Sequence, residues 1–185
     1  MDTTTPLDFT HIIPYQPRQF VPAQTDLTVL DQVRPLFQAL LGRPIDSSRA
    51  LQDWLRERSE LEAALSQTGT ILYIRMTCQT DDPAHARAYQ HFIEEIQPVV
   101  KVFNDQLNKK YVAEQARWQL DPKRYEVYTR ALRTDIELFR EENVALETEA
   151  ALRTQEYQTI IGAMTVVFEG KERTLPEMGK FLHEP

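Results

Sequence analysis

The chain has one cysteine, Cys78, among 185 residues, so an internal disulfide framework is excluded and a reducing, cytoplasmic setting is expected. Thr77 and Gln79 flank this thiol and neither is a general base, which predicts a buried structural cysteine rather than a nucleophile. Glycine is scarce, with five scattered residues at positions 42, 69, 162, 170 and 179. A phosphate cradle needs several glycines close together, so none is encoded. Basic side chains are outnumbered, 21 against 28 acidic, and the net charge is -7. No Lys/Arg run is present, so the counterion release that drives nucleic-acid binding is lacking and no nucleic-acid partner is expected. No stretch of 18 apolar residues occurs, and Met1 to Pro6 carries neither a basic nor an apolar leader segment, so neither a membrane span nor a signal peptide is predicted.

Proline, by contrast, is concentrated. Four of the 11 prolines (Pro6, Pro14, Pro17, Pro22) fall in the first 22 residues, and each disfavours helix at itself and before itself. Residues 1–25 therefore read as an extended arm. The arm also holds Phe9, Ile12, Ile13, Tyr15, Phe20 and Val21, too many apolar groups for a solvated tail, which predicts that it lies along a helical body. Residues 26–185 form that body, a mostly α, antiparallel bundle of long helices with one small hairpin near the C-terminus. From Asp26, Leu27, Leu30, Val33, Phe37, Leu40 and Leu41 recur at helical spacing, with a kink or division expected at Pro35 and a stop at Gly42 and Pro44. Asp46 or Ser47 caps a second helix with the stripe Leu51, Trp54, Leu55, Leu61 and Leu65.

The segment Ile71 to Cys78 has strand-like composition, yet Leu61, Leu65, Leu72 and Met76 stay on one face if the helix runs through Gly69 at a cost of about 1 kcal/mol. A lone strand would have no nearby partner, so a continuous helix is predicted. Asp82-Pro83 and Asp121-Pro122 each pair a capping carboxylate with proline at the first helical position. The first opens the stripe Ala88, Phe92, Ile96, Phe103, Leu107 and Tyr111, with a bend at Pro98. The second opens Tyr125, Tyr128, Leu132, Ile136 and Phe139. The charge-dense stretch Asp135 to Glu142 reads as a solvated helix face and helix end. A further helix from about Glu147 is expected to bury Leu152, Tyr157, Ile160 and Ile161. Met164 to Phe168 and Glu172 to Thr174 read as strands about a turn at Glu169-Gly170-Lys171, and such a hairpin must pack on helices. Thr174-Leu175-Pro176-Glu177 is a capping box opening a short helix with Leu175, Met178, Phe181 and Leu182.

Four histidines leave little scope for a metal centre. A zinc-binding helix needs two imidazoles one turn apart with a carboxylate beside them, as in H-E-x-x-H, so that both rings face one ion. No pair here meets that. His91-Phe92-Ile93-Glu94-Glu95 places His and Glu at i and i+3 on a helix whose core side is Phe92 and Ile96, and reads as a polar solvated face. A self-contained metalloenzyme built on His91, Glu94 and Glu95 is the third-ranked alternative, revived only by stoichiometric metal. Asp82-x-x-His85 straddles a helix cap and Asp8-x-x-His11 lies in the arm, so neither supplies the Glu-x-x-His pairs of a di-iron bundle. His183-Glu184 is followed by Pro185 and has no second ligand. No residue of the chain is assigned a catalytic, cofactor-binding or metal role.

Four sequence words carry a resemblance. They are Leu72-Tyr73-Ile74-Arg75-Met76-Thr77-Cys78-Gln79-Thr80-Asp81-Asp82, Phe92-Ile93-Glu94-Glu95-Ile96-Gln97-Pro98, Glu137-Leu138-Phe139-Arg140-Glu141-Glu142-Asn143, and Gln155-Glu156-Tyr157-Gln158-x-Ile160-Ile161-Gly162-Ala163-Met164-Thr165-Val166. In this order, over about residues 45 to 182, they resemble the N-terminal region of zinc oligoendopeptidases of the oligoendopeptidase F type, related to thimet oligopeptidase. The resemblance implies a mostly helical metallopeptidase whose two halves enclose a channel, with N-terminal helices forming part of one wall. It also implies that zinc and its H-E-x-x-H motif belong to a C-terminal catalytic half, absent here, so that none of the family's metal or catalytic residues maps onto this chain.

The expected function follows: the N-terminal helical part of a zinc metalloendopeptidase for short peptides, inactive alone, with the chain cut at Pro185. Its partners would be the missing C-terminal catalytic half and, in the intact enzyme, peptide substrates. The alternative is a standalone helical interaction or dimerisation module, using an apolar stripe left uncovered at Leu175, Met178, Phe181 and Leu182 or along the arm.

Overall fold

Most helices begin where a short polar side chain serves the open amides of the first turn. Ser47 Oγ accepts from the Ala50 amide at 3.1 Å, Asp82 Oδ1 from Ala84 at 2.8 Å and Asp121 Oδ1 from Lys123 at 3.0 Å. The structure, a computed structural model, describes residues 17–79 and 82–182. The arm's Phe9, Ile12, Ile13 and Tyr15, the Asp8-His11 pair and His183-Glu184 lie outside the described residues.

The order is α1 (Leu30–Gly42), α2 (Ser48–Cys78), α3 (Pro83–His91), a π-turn (Phe92–Ile96), α4 (Gln97–Trp118), α5 (Pro122–Leu138), α6 (Glu141–Ala163), β1 (Thr165–Phe168), β2 (Lys171–Thr174), α7 (Leu175–Met178) and a 3-10 turn (Gly179–Leu182). The first helix starts at Leu30 rather than Asp26, because the Asp26 carboxylate accepts from both the amide and the hydroxyl of Thr28, at 2.9 and 2.7 Å, and holds the chain in a turn. Nor does Pro35 divide it. Pro35 and Asp31 are both solvent-exposed, so water can serve the carbonyl that loses its donor. The continuous helix through Gly69 is present as α2, 31 residues long.

Where a bend is expected at Pro98, a π-turn precedes the proline. The Gln97 amide donates to the Phe92 carbonyl, five residues back, and this widened turn precedes the proline, whose ring would crowd a regular turn. In the hairpin, Glu169 and Gly170 both have positive φ, 53° and 72°, as a two-residue type I′ turn requires. Lys171 therefore belongs to β2, paired with Phe168, and not to the turn. The capping box at Thr174 is formed in both directions. The hairpin is held to the following segment by a Phe168–Phe181 ring pair 4.9 Å apart, with the Arg173 guanidinium over Phe181.

The core lies among α1, α2 and α4, where Val33, Phe37, Leu51, Trp54, Leu61, Ile96, Leu107 and Tyr111 are fully buried. Phe37 and Phe103 stack at 4.9 Å. Tyr111 joins α4 to α5 through Thr129, hydroxyl to hydroxyl at 2.9 Å. Two sequence expectations about burial fail. Cys78 is exposed, because α2 ends there, beyond its last buried residue Met76. Helix α6 starts earlier than expected, at Glu141, with Glu141 and Glu142 favourably placed in its first turn. Its only buried residue is Val144; Leu152 is half-buried, while Tyr157 (63% exposed), Ile160 (64%) and Ile161 (37%) face outward. Their spacing is helical, but α2 approaches this face only along a shallow hollow where Tyr73 and Met76 stand near Tyr157 and Ile161, and it does not bury them. No described helix is long and apolar enough to cross a membrane.

Two polar junctions fix the outer segments. At the end of α1, Lys110 Nζ donates to the carbonyls of Leu40, Leu41 and Arg43 at 2.9, 2.8 and 2.6 Å, and Trp54 Nε1 donates to Leu40 at 2.9 Å. An ammonium among last-turn carbonyls also matches the negative end of the helix dipole. The second junction holds residues 19–21. The Gln19, Phe20 and Val21 amides all donate to the Glu60 carboxylate, at 2.9, 2.8 and 2.7 Å, and Arg18 bonds Gln67. Val21 is fully buried and Phe20 half-buried, so this part of the arm does lie along the bundle.

Burial opposes ionisation of Glu60, but the three amides, helped by Arg18, outweigh it and hold the carboxyl below its ordinary value. A depressed acid contributes stability above its unfolded pKa and loses it as pH falls through the folded value. Glu60→Gln is accordingly expected to cost about 1–2 kcal/mol near neutrality, measured by urea denaturation, with the difference from wild type vanishing in acid. Hydrogen exchange at the 19–21 amides should accelerate in the same variant. Lys110→Met, which removes three charge-assisted bonds, should cost roughly 2–3 kcal/mol in the same urea assay.

Candidate functional site

A glycine in the middle of a long helix is unfavourable unless something approaches closely. At Gly69 that neighbour is Phe92: a Cβ built on Gly69 would stand 2.9 Å from Phe92 Cε1. Phe92 is the first residue of the π-turn and is buried against α2. The contact sets the floor of a groove of about 530 Å3 between α2 and the α3–α4 rod. Leu65, Tyr73, Tyr89, Phe92 and Val100 supply apolar surface, and Glu62, Ser66, Thr70, Gln97, Lys101 and Asn104 line it with polar groups. Tyr73 and Tyr89 meet edge to face at 5.6 Å. Burial, with Tyr73 beside it, raises the Tyr89 phenol above its ordinary value, so it stays a neutral hydroxyl.

Charges at the groove are anchored from outside it. Lys101 pairs with Glu147 of α6 at 2.5 Å. Glu62 accepts from Nε of Arg58 at 2.7 Å, and Arg58, only 3% exposed, also bonds Asn108 and lies over the Trp54 ring. Tyr128, in the same buried region, is pushed up to about 12, chiefly by desolvation and against the pull of Arg58. Asn104 Oδ1 is shielded from solvent and has no hydrogen-bond partner among the described residues. The aromatic walls suit a ligand that brings an apolar group, whereas the Asn104 oxygen, shielded from solvent, is closed to it. A larger hollow of about 700 Å3 between α1, α4 and α6 holds no such unserved group.

The residues considered for metal do not assemble. His91 donates from Nε2 to the Thr28 carbonyl at 3.1 Å, so that nitrogen carries its proton. Glu94 and Glu95 are exposed on the π-turn, and Glu94 accepts instead from Gln90. His85 stands 3.7 Å from Asp82, within the cap of α3. Among the described residues, no group of three or more His, Cys, Asp or Glu side chains is placed to hold an ion.

The family comparison bears on the same stretch of chain. Residues 20–139 match the family model of the peptidase M3 N-terminal domain. The chain belongs to that family. Comparisons with curated proteins and with solved structures give no match. The groove lies wholly inside the matched span of the M3 domain, whereas all of α6, the hairpin and α7 lie past it. The chain is thus a helical, peptidase-related domain.

None of the groove residues was singled out from the sequence as a site. One signal was there: 62, 65, 66, 69 and 73 share a face of α2, with glycine in its centre. Gly69→Ala weighs two effects of known size, a helix-propensity gain of about 1 kcal/mol against overpacking of roughly 1–3 kcal/mol. Because Phe92 is buried and cannot swing away, net destabilisation of about 1 kcal/mol is expected, together with shifted aromatic NMR resonances of Phe92 and Tyr89.

Proposed function

We propose that this M3 domain is the N-terminal helical part of a zinc oligoendopeptidase of the F type, and that its α2/α3–α4 groove forms part of the wall of a channel for short peptides. The match of an M3 N-terminal domain model across residues 20–139 carries the reading. The groove is in keeping with it, since its aromatic surface fits an apolar side chain of a peptide.

The donor sets of the described residues do not fit a catalytic zinc ion, and no H-E-x-x-H occurs in the sequence. Zinc and the general base would then come from a catalytic half outside these residues, and this domain would contribute shape, apolar contact and exclusion of folded substrates. The proposed docking region for that half is the exposed apolar end of α6 and the hairpin, with Tyr157, Ile160, Met164, Val167 and Leu175 all at least 37% exposed. A cytoplasmic setting is part of the same reading.

The test uses a quenched fluorogenic peptide and the purified 185-residue chain. No chelator-sensitive cleavage is expected, and a reading frame that continues past codon 185 into H-E-x-x-H is expected in the gene. Hydrolysis by the chain alone, abolished by a chelator, would overturn the reading. The same exposed apolar surface also favours a second possibility, a homodimer or interaction module without enzymatic activity. Light scattering separates the two: a defined dimer that Ile160→Asp and Val167→Asp dissociate, in a gene lacking the zinc motif, would establish the second.

A further inference from the structure

Arginine is spread along the sequence without a run, yet the fold gathers three at one place. A cleft of about 490 Å3 beside the first turns of α2 is lined by Arg49, Gln52, Arg56 and Ser59, and Arg124 and Tyr125 of α5 complete it. Arg49 and Arg56 share a single carboxylate, Asp53: Arg49 Nε is 3.4 Å away and Arg56 is in direct contact. Arg124 pairs with no described carboxylate; its guanidinium sits 5.3 Å from the centre of the Tyr125 ring. The neighbouring Asp121 is occupied at the cap of α5, where it accepts from the Lys123 amide, and it does not line the cleft.

Three cations against one anion leave about two positive charges uncompensated on a chain whose net charge is -7. The placement also costs stability. Arg49 and Arg124 stand in the first turns of α2 and α5, where positive charge opposes the helix dipole, and neither first turn carries an acidic residue. Guanidinium forks match the geometry of oxyanions, and here they come from two helices around a space far larger than a bare ion requires. Leu55 and the Tyr125 ring give that space an apolar side.

We propose that this cleft binds a small molecule through a doubly charged oxyanion group, phosphate or paired carboxylates, with Arg56 and Arg124 as its two forks. The site is separate from the α2/α3–α4 groove and does not depend on the peptidase reading.

The experiment is calorimetric titration of the full chain at constant ionic strength, with inorganic phosphate and malonate as probes and acetate as the singly charged comparison. Saturable binding of phosphate or malonate is expected, with acetate about tenfold weaker or worse. Arg56→Gln and Arg124→Gln should each weaken it about tenfold, and Arg130→Gln, on α5 outside the cleft, should leave it unchanged. The tighter of the two dianions identifies the source of the charge. Circular dichroism verifies that the surface variants are folded. Heats that do not saturate, or binding that Arg124→Gln leaves intact, would overturn the proposal. An equal loss in Arg130→Gln would do so as well, since it would reveal only general attraction of anions.

Discussion

The Lys110 ammonium, set among the last carbonyls of α1, is the junction on which the helical arrangement depends. Helix ends leave carbonyls without partners, and burying them unserved would cost more than most side-chain contacts return. Here one side chain of α4 and the indole of Trp54 on α2 serve the same turn of α1. Three helices are therefore fixed to one point by bonds of defined direction, which apolar contact alone does not provide. The Phe37–Phe103 stack then follows as the apolar continuation of the α1–α4 seam.

From that frame the groove is a consequence of two residues that local rules disfavour. Pro98 calls for a wider turn before it, and the π-turn supplies one with Phe92 at its head. Gly69 removes the atom that Phe92 would otherwise strike. Each looks like a defect when its own helix is considered alone. Together they bring α2 and the α3–α4 rod close at one level while leaving open space beside it. Arg58 and Glu147 then hold the charged rim from behind, so the polar groups facing the groove are oriented by residues that do not line it.

Much of the architecture was legible in the sequence because its signals are local. The Asp-Pro starts, the Ser47 cap, the Thr174 capping box and the hairpin turn each depend on neighbouring residues, and each is present. The persistence of α2 through Gly69 was legible from the stripe, although its reason, a ring from another helix, was not. Cys78 was misread because the lack of a flanking base argues against reactivity and says nothing of burial, and the second half of α6 for a different reason. Periodicity reports that a face is apolar, not that anything lies against it. Arg49, Arg56 and Arg124 were unreadable for the opposite reason: they are 75 residues apart from first to last, and only tertiary packing gives them a shared cleft. Glu62, Lys101 and Asn104 were missed likewise, because nothing in their spacing distinguishes a groove wall from an ordinary solvated face.

The attachment of residues 19–21 to Glu60 has an implication for how this part of the chain can change over time. All three bonds come from main-chain nitrogen, which nearly every amino acid possesses. Positions 19 and 20 can therefore drift widely in identity while keeping their grip, with proline the clear exception. One carboxylate on α2 bears the whole demand for chemical constancy, so variation should be tolerated on the strap and resisted at its anchor.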